Sequence, residues 1–410
     1  MRVHLFSFAV LALLIVRIHA AASDRVLFPS CAITCDSKLF SNCSLNNDMS
    51  CFCASGSRPT ALLNLVETSC TTKEFFTTKR VYEKECGITP HKGPSVVDAA
   101  TLIPLILASF FFVVRIIAKS SGLAGGWGLD DYTIIISYVL GAAIYVLYIY
   151  AIRNGFGQNI WDIPFPTITR FYRYFQGLAV MYKVQISLAK ISVCLFLLRI
   201  FRSQTFRCLA YTLIGINAAI GISWAFVDSF RCLPVHLTWT GWMNEEPAQC
   251  IDFISSILVN CLVNIFVDFV LIIMPVYEVT KLQLPLQKKV SVGLMFIVGS
   301  VLMIIAIIRV VVFWNNRWGS NQTFGLYPVT HWTVIESQIA VMCACLPASR
   351  AVAVQLFPQF LGGTRSRTTP THTADDSNSK HTSGKIKKSV TYSVNYGSPS
   401  GTHSDVELLD

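Results

Sequence analysis

Residues Phe253 to Tyr277 read FISSILVNCLVNIFVDFVLIIMPVY, an unbroken apolar run with one charge, Asp268, inside it. A helix needs about 20 mainly apolar residues to cross bilayer hydrocarbon, and this run is long enough. Four more segments read the same way: Val97 to Ala118, Tyr132 to Ile152, Cys208 to Val227 and Val290 to Phe313. Two others, Phe175 to Leu198 with Lys183 and Lys190, and Val329 to Ala353 with Glu336 and Arg350, carry charges. Charge in hydrocarbon is costly unless paired or hydrated, so these two spans are expected to face the bundle interior. A chain of 410 residues that is 53% hydrophobic and 14% charged is too apolar for a soluble multidomain protein. The predicted fold is all-α and membrane-embedded: a seven-transmembrane helix bundle with a small, disulfide-rich helical domain before it.

That domain is read from seven cysteines, Cys31, Cys35, Cys43, Cys51, Cys53, Cys70 and Cys86. So dense a set of thiols persists where thiols oxidise, which predicts an extracellular or lumenal position. Residues 1–22 begin with Arg2 and His4, run apolar from Leu5 to Val16 and end in Ala20, Ala21 and Ala22, the pattern of a cleaved signal peptide. The domains expected are therefore the signal peptide 1–22, the cysteine module 23–90, the bundle 97–353 and a polar, disordered cytoplasmic tail 362–410. A signal peptide sends the module outward, and seven crossings then leave the C-terminus in the cytoplasm. Basic residues agree: Lys119, Arg199, Arg202, Arg207, Lys281, Lys288 and Lys289 fall in the inner loops, and fewer in the outer ones. The net charge of +10 reflects this topology bias, not a nucleic-acid-binding stripe.

The module opens Pro29-Ser30-Cys31-Ala32-Ile33-Thr34-Cys35 and continues through Asp48-Met49-Ser50-Cys51-Phe52-Cys53. This resembles the CFEM domain of fungal extracellular membrane proteins, an eight-cysteine module. It departs at one position: the family's sixth cysteine falls near Val66 and is absent, which implies one missing disulfide and one leftover thiol. In haem-scavenging CFEM proteins the residue matching Asp48 is the axial ligand of ferric haem, so the resemblance implies haem as a possible cofactor, with Leu45, Met49 and Phe52 as apolar cover. Asp48 equally suits a helix cap or turn.

The bundle carries a second resemblance. Trp127-Gly128-Leu129-Asp130-Asp131-Tyr132, Lys190-Ile191-Ser192 with Leu198-Arg199-Ile200-Phe201, Phe230-Arg231-Cys232-Leu233-Pro234, Asp268 with Met274-Pro275, and Glu336 with Cys345-Leu346-Pro347-Ala348-Ser349-Arg350 look like the fungal rhodopsin-like membrane domain. Proteins joining it to a CFEM module resemble receptor candidates of the G-protein-coupled type. The same membrane family includes a satratoxin-cluster protein. Retinal is not expected, because a retinal Schiff base needs a seventh-span lysine and Val329 to Ala353 has none.

Cys232 and Cys250 bracket the loop after the fourth span and are expected to form a disulfide closing Trp239, Trp242, Glu245 and Glu246 over the bundle mouth. Asn321-Gln322-Thr323 is a glycosylation sequon. Within the spans, Asp268 and Arg309 are placed to pair, as are Lys190 and Glu336, either as a structural clamp or as a ligand site. No catalytic motif is present, and an enzyme is not expected. The leading reading is a plasma-membrane receptor that senses an external or host ligand through the module and engages a cytoplasmic G protein. The alternatives are haem or iron acquisition and a membrane-tethered host-interaction factor.

Overall fold

The computed structural model of the protein describes residues 28–39, 45, 49–54, 56–123, 125–247, 249–281, 286–316 and 319–356. The expected signal peptide, Cys43, Asp48 and the polar tail lie outside the described residues. Helices α1 (Ser30–Leu39), α2 (Met49–Ala54), α3 (Arg58–Ser69) and α4 (Thr72–Glu85) build the cysteine module. Pro59 sits in the first turn of α3, where its fixed φ and missing N–H do no harm. Thr71 caps α4 through a reciprocal pair of bonds: its Oγ1 accepts the Glu74 N–H at 3.3 Å, and Glu74 Oε2 accepts the Thr71 N–H at 3.0 Å. Ala32, Phe52, Leu62, Val66, Phe75 and Phe76 are buried between these helices.

Disulfides tie the module together, two of them between described cysteines. Cys31–Cys70 joins α1 to the α3–α4 junction, and Cys53–Cys86 joins α2 to the end of α4, across 39 and 33 positions of chain. By the chain-entropy relation each closure contributes about 4 kcal/mol. Cys51 is also disulfide-bonded. Cys35, grouped with the disulfide cysteines by the sequence reading, is a free, buried thiol, the leftover one that a missing partner implies. Its sulfur lies 3.9 Å from Cys70 Sγ, which is already bonded to Cys31. Val66, near which the resemblance implies the sixth cysteine, is fully buried on α3, a helix that packs on α1.

The bundle is formed by α5 (Ala99–Ser120), α6 (Leu129–Arg153), α7 (Phe165–Ile200), α8 (Gln204–Ser229), α10 (Phe253–Lys281), α11 (Leu286–Asn316) and α12 (Gln322–Leu356). All seven are long and apolar enough to cross a membrane. Their exposed faces explain why they need lipid. On α5, Ile103, Ile106, Phe110, Val113 and Ile117 are exposed, and on α10 so are Val259, Leu262, Phe266, Phe269, Ile273 and Tyr277. A three-and-four spacing aligns each set as one apolar stripe along its helix. The two charge-bearing spans turn inward as expected: 50% of the apolar window of α7 and 72% of that of α12 are buried, against 17 to 39% for the other five.

Between α8 and α10 a short hairpin forms from β1 (Cys232–Leu233) and β2 (Gln249–Cys250), with Cys232 opposite Cys250 and bonded to it. Helix α9 (Leu237–Thr240) lies inside this closed loop. Gly221 on α8 has a packing reason: a Cβ there would sit 2.7 Å from Ser187 Oγ on α7, so its absence lets the third and fourth spans approach closely.

The Cys35 site yields a test. Val66→Cys in the full chain is expected to bond to Cys35, protect both thiols from maleimide until reduction, and raise stability by about 2 to 4 kcal/mol. Alkylation of both without reductant would contradict the proximity of α1 and α3 at this point.

Candidate functional site

Three groups of residues lie along the bundle: where the module docks, at mid-depth, and at the far end. The docking surface is built by one face of α4. Arg80 donates from Nε to the Trp161 carbonyl and from Nη2 to the Ile163 carbonyl, the latter at 2.7 Å. Trp161 lies in a single 3₁₀ turn, Ile160–Asp162, between the second and third spans, and its Nε1 donates to Glu83 Oε2 at 2.8 Å. Lys79 Nζ sits 3.5 Å from the centre of the same indole. Phe76 stacks on Trp242 of the disulfide-closed loop at 6.1 Å, and Lys73 meets Glu245 there at 2.5 Å. The module thus grips both the loop after the second span and the loop after the fourth. Burial pushes the Glu83 carboxyl above its usual range, against the opposing pull of the Trp161 N–H and Lys79; nearby Asp162 adds to the rise. Burial draws the Lys79 ammonium down, with Glu83 and Glu67 opposing.

At mid-depth the four predicted charges come together, but in different pairs. Lys190 binds Asp268 at 2.9 Å, and Arg309 binds Glu336 at 2.8 Å; the expected pairs Asp268–Arg309 and Lys190–Glu336 do not form. The sixth and seventh spans pack side by side with Arg309 and Glu336 at matching depth, while the long Lys190 side chain reaches from the third span to the fifth. Each single charge in this setting would cost several kcal/mol. Further polar groups complete the network. Tyr182 donates to Glu336 Oε2 at 3.0 Å and accepts from Arg309 Nη1, and Lys190 Nζ donates to Asn264 Oδ1 at 2.9 Å. Asn264 in turn donates from Nδ2 to Asn260 Oδ1 at 3.1 Å. Asn260, Asn264 and Asp268 recur every fourth residue, a polar stripe in an apolar run that would have marked the inward face of α10.

Cavities lie on both sides of this network. One of about 80 Å³ is lined by Lys190, Asp268, Glu336 and apolar residues of α7, α10, α11 and α12. On the module side, one of about 70 Å³ is lined by Phe175, Tyr182, Asn260 and Arg309, and one of about 240 Å³ lies beneath the Cys232–Cys250 loop.

The far end holds a charge cluster that the apolar reading of the first span overlooked. Arg115 on α5 is fully buried. It contacts Asp130 at 2.6 Å and Asp131 at 2.7 Å, and donates from Nη1 to the Ala344 carbonyl of α12 at 2.5 Å. Lys119 meets Asp131 at 2.9 Å, and Arg199 of the third span meets Asp130 at 2.9 Å. Both aspartates lie in the first turn of α6, where the helix dipole favours anions, and Asp131 Oδ2 accepts the Gly128 N–H at 3.0 Å. One cluster therefore clamps the first, second, third and seventh spans.

Of the apolar residues expected to cover a haem on Asp48, two are turned into the module. Phe52 is 1% exposed and packs edge-on against Tyr82, and Leu45 is buried with its N–H donated to Asp36 Oδ2 at 2.7 Å. These two side chains serve the module's own core, and Met49 beside them is half-buried. The Asn321 sequon is also engaged by packing. Asn321 Nδ2 donates to Asn159 Oδ1 at 2.9 Å, and the fully buried Thr323 donates to the Gln158 carbonyl at 2.7 Å. A glycan on that nitrogen would break the first of these bonds.

Residues 114–355, which hold all of the mid-depth and far-end clusters, match the model of the fungal rhodopsin domain. The chain belongs to the fungal rhodopsin domain family. Residues 26–87 match the CFEM domain. The polyenoic acids biosynthesis gene cluster protein Ba17b of Metarhizium anisopliae is 25% identical over 237 residues, 55% of this chain and 64% of its own. A SAT4 family membrane protein of Emericella nidulans is 23% identical over 271 residues, covering 65% and 67% of the two chains. Receptor GIN3 of Arthrobotrys oligospora is 25% identical over 296 residues, covering 70% and 71%. No solved structure matches. This member of the fungal rhodopsin domain family is a multi-pass membrane protein with a CFEM domain.

Two outcomes follow from the geometry of this rhodopsin-domain protein. Arg115→Ala leaves two carboxylates short of their main partner and is expected to cost about 3 to 5 kcal/mol in thermal unfolding; adding Asp130→Asn and Asp131→Asn should recover part of that. For docking, a Glu83 pKa raised in the docked state means that docking is firmest below about pH 4, where Glu83 is protonated docked or not. It weakens as pH rises from the ordinary glutamate value of about 4.3 through the raised one. Hydrogen exchange of α4 amides in the full chain should show this trend, and Glu83→Gln should flatten it.

Proposed function

We propose that the protein is a plasma-membrane receptor with the module outside and the far end of the bundle in the cytoplasm. The observation that carries this reading is the grip of α4 on the loops around Trp161 and Trp242. Those loops begin and end four spans, so a cue that shifts the module displaces the second to fifth helices. The relative named Receptor GIN3 and the bias of basic residues towards the far-end loops support the same reading.

In this scheme an external cue binds two arrangements of module and bundle unequally, which is the only way a ligand moves such an equilibrium. Moving it from 1:99 to 99:1 takes about 5.5 kcal/mol of differential binding. The mid-depth pairs are the element that repacks. The loops Ser120 to Leu129, Phe201 to Phe206 and Val279 to Lys289 then present a changed surface to a G protein. The chemistry is conformational, with no catalytic step.

The reading is tested in cells of the source organism stimulated with host-surface extract, with cyclic AMP as readout. Deletion should abolish the response and wild type restore it. Arg80→Ala with Glu83→Ala should reach the surface at normal level but restore less than about a tenth of the response, through the loss of three charged hydrogen bonds. A response unchanged by deletion would remove the receptor reading.

A further inference from the structure

We propose that the module-side cavity of the bundle binds a small amphipathic carboxylate, its head on Arg309 and Asn260 and its apolar body beneath the disulfide-closed loop. The two module-side cavities are neighbours, with Phe175, Phe253 and Leu326 lining both. Together they reach the lower end of the range of about 300–1,000 Å³ typical of small-molecule sites.

The lower cavity holds three unpartnered donor atoms, on Arg309 and Asn260, against one unpartnered acceptor, Asp228 Oδ2. Arg309 has 3% of its side chain exposed, and its Nη1 is engaged by Glu336 and Tyr182, yet its Nε and Nη2 have no partner. Asn260, 1% exposed, has an unpartnered Nδ2. Both side chains line the lower cavity. Buried N–H groups of this kind are normally satisfied, and those on a guanidinium are the most costly to leave unmade. A group that meets several convergent donors must bring several lone pairs, and a carboxylate brings about four on two coplanar oxygens, the geometry that a guanidinium fork fits best.

Charge selects the same class. Besides Arg309, already paired with Glu336, Lys183 and Arg231 line the two cavities against one anion, Asp228. Above the floor the walls are Phe175, Leu178, Phe253, Ile257, Leu326 and Val329, suited to an aliphatic or aromatic body. A carboxylate on Nε and Nη2 of Arg309 would share the guanidinium charge with Glu336 on Nη1, which weakens the link between the sixth and seventh spans. That last consequence rests on the receptor reading; the binding site itself does not.

The test uses the full chain in phosphatidylcholine nanodiscs, with sodium octanoate as probe and 1-octanol as the uncharged control, read by calorimetric titration. Octanoate should bind saturably and octanol should not. Asn260→Leu should weaken octanoate about tenfold, the weight of one hydrogen bond. Because Arg309→Gln alone strands Glu336 and can unfold the bundle, the paired variant Arg309→Gln with Glu336→Gln is used, and it should abolish binding while keeping the thermal transition. Equal binding of octanoate and octanol, or undiminished binding to the folded paired variant, would overturn the proposal. Octanoate binding with no cellular response would retain the site and count against the receptor, and the converse would do the opposite.

Discussion

Charge carried into an apolar bundle must meet its opposite there, and that constraint fixes how these helices are arranged. Arg115, Lys190 and Arg309 enter on three different spans, and each ends against a carboxylate from another. Hydrophobic burial cannot choose among neighbours in lipid, because every face is already apolar; packing detail and polar contacts do the choosing. The far-end cluster draws the first, second, third and seventh spans together, and the mid-depth pairs link the third to the fifth and the sixth to the seventh.

The seven spans and the cysteine module were legible in the sequence because their signals are local: run length, hydropathy and thiol spacing. Ends were less so. The third span was read from Phe175 but begins at Phe165, since its first ten residues are mixed polar and aromatic and lie beyond the apolar run. The four intramembrane charges were found, but their partners were exchanged. A sequence gives depth along each helix and not the rotation about its axis or the identity of its neighbour, and those two quantities decide which charge meets which. Tyr182 was missed because a tyrosine in an apolar run carries no mark of being inward. Arg115 was missed because one cation in a long apolar stretch does not lower its hydropathy enough to register.

The docking of the module was not legible at all. Arg80 and Glu83 meet Trp161 across roughly eighty positions of chain, and no periodicity announces such a contact. The loop closed by Cys232 and Cys250 was anticipated, and its tryptophans were placed over the bundle mouth. What was not anticipated is that Trp242 faces two ways, stacking on Phe76 of the module and donating from Nε1 to Thr169 Oγ1 of the third span at 3.1 Å. That single indole couples the cysteine module to the bundle directly, and it lines the cavity beneath the disulfide-closed loop.

The account depends on the mid-depth charges holding the helices as pairs. A double-mutant cycle on Arg309 and Glu336, with Arg309→Met and Glu336→Leu singly and together and unfolding followed in detergent, measures that directly. A coupling energy of about 2 kcal/mol or more, with the double variant more stable than either single one, is the predicted result. Effects that add to within about 0.5 kcal/mol would show that the two residues do not act as a pair, and would contradict the arrangement on which the rest is built.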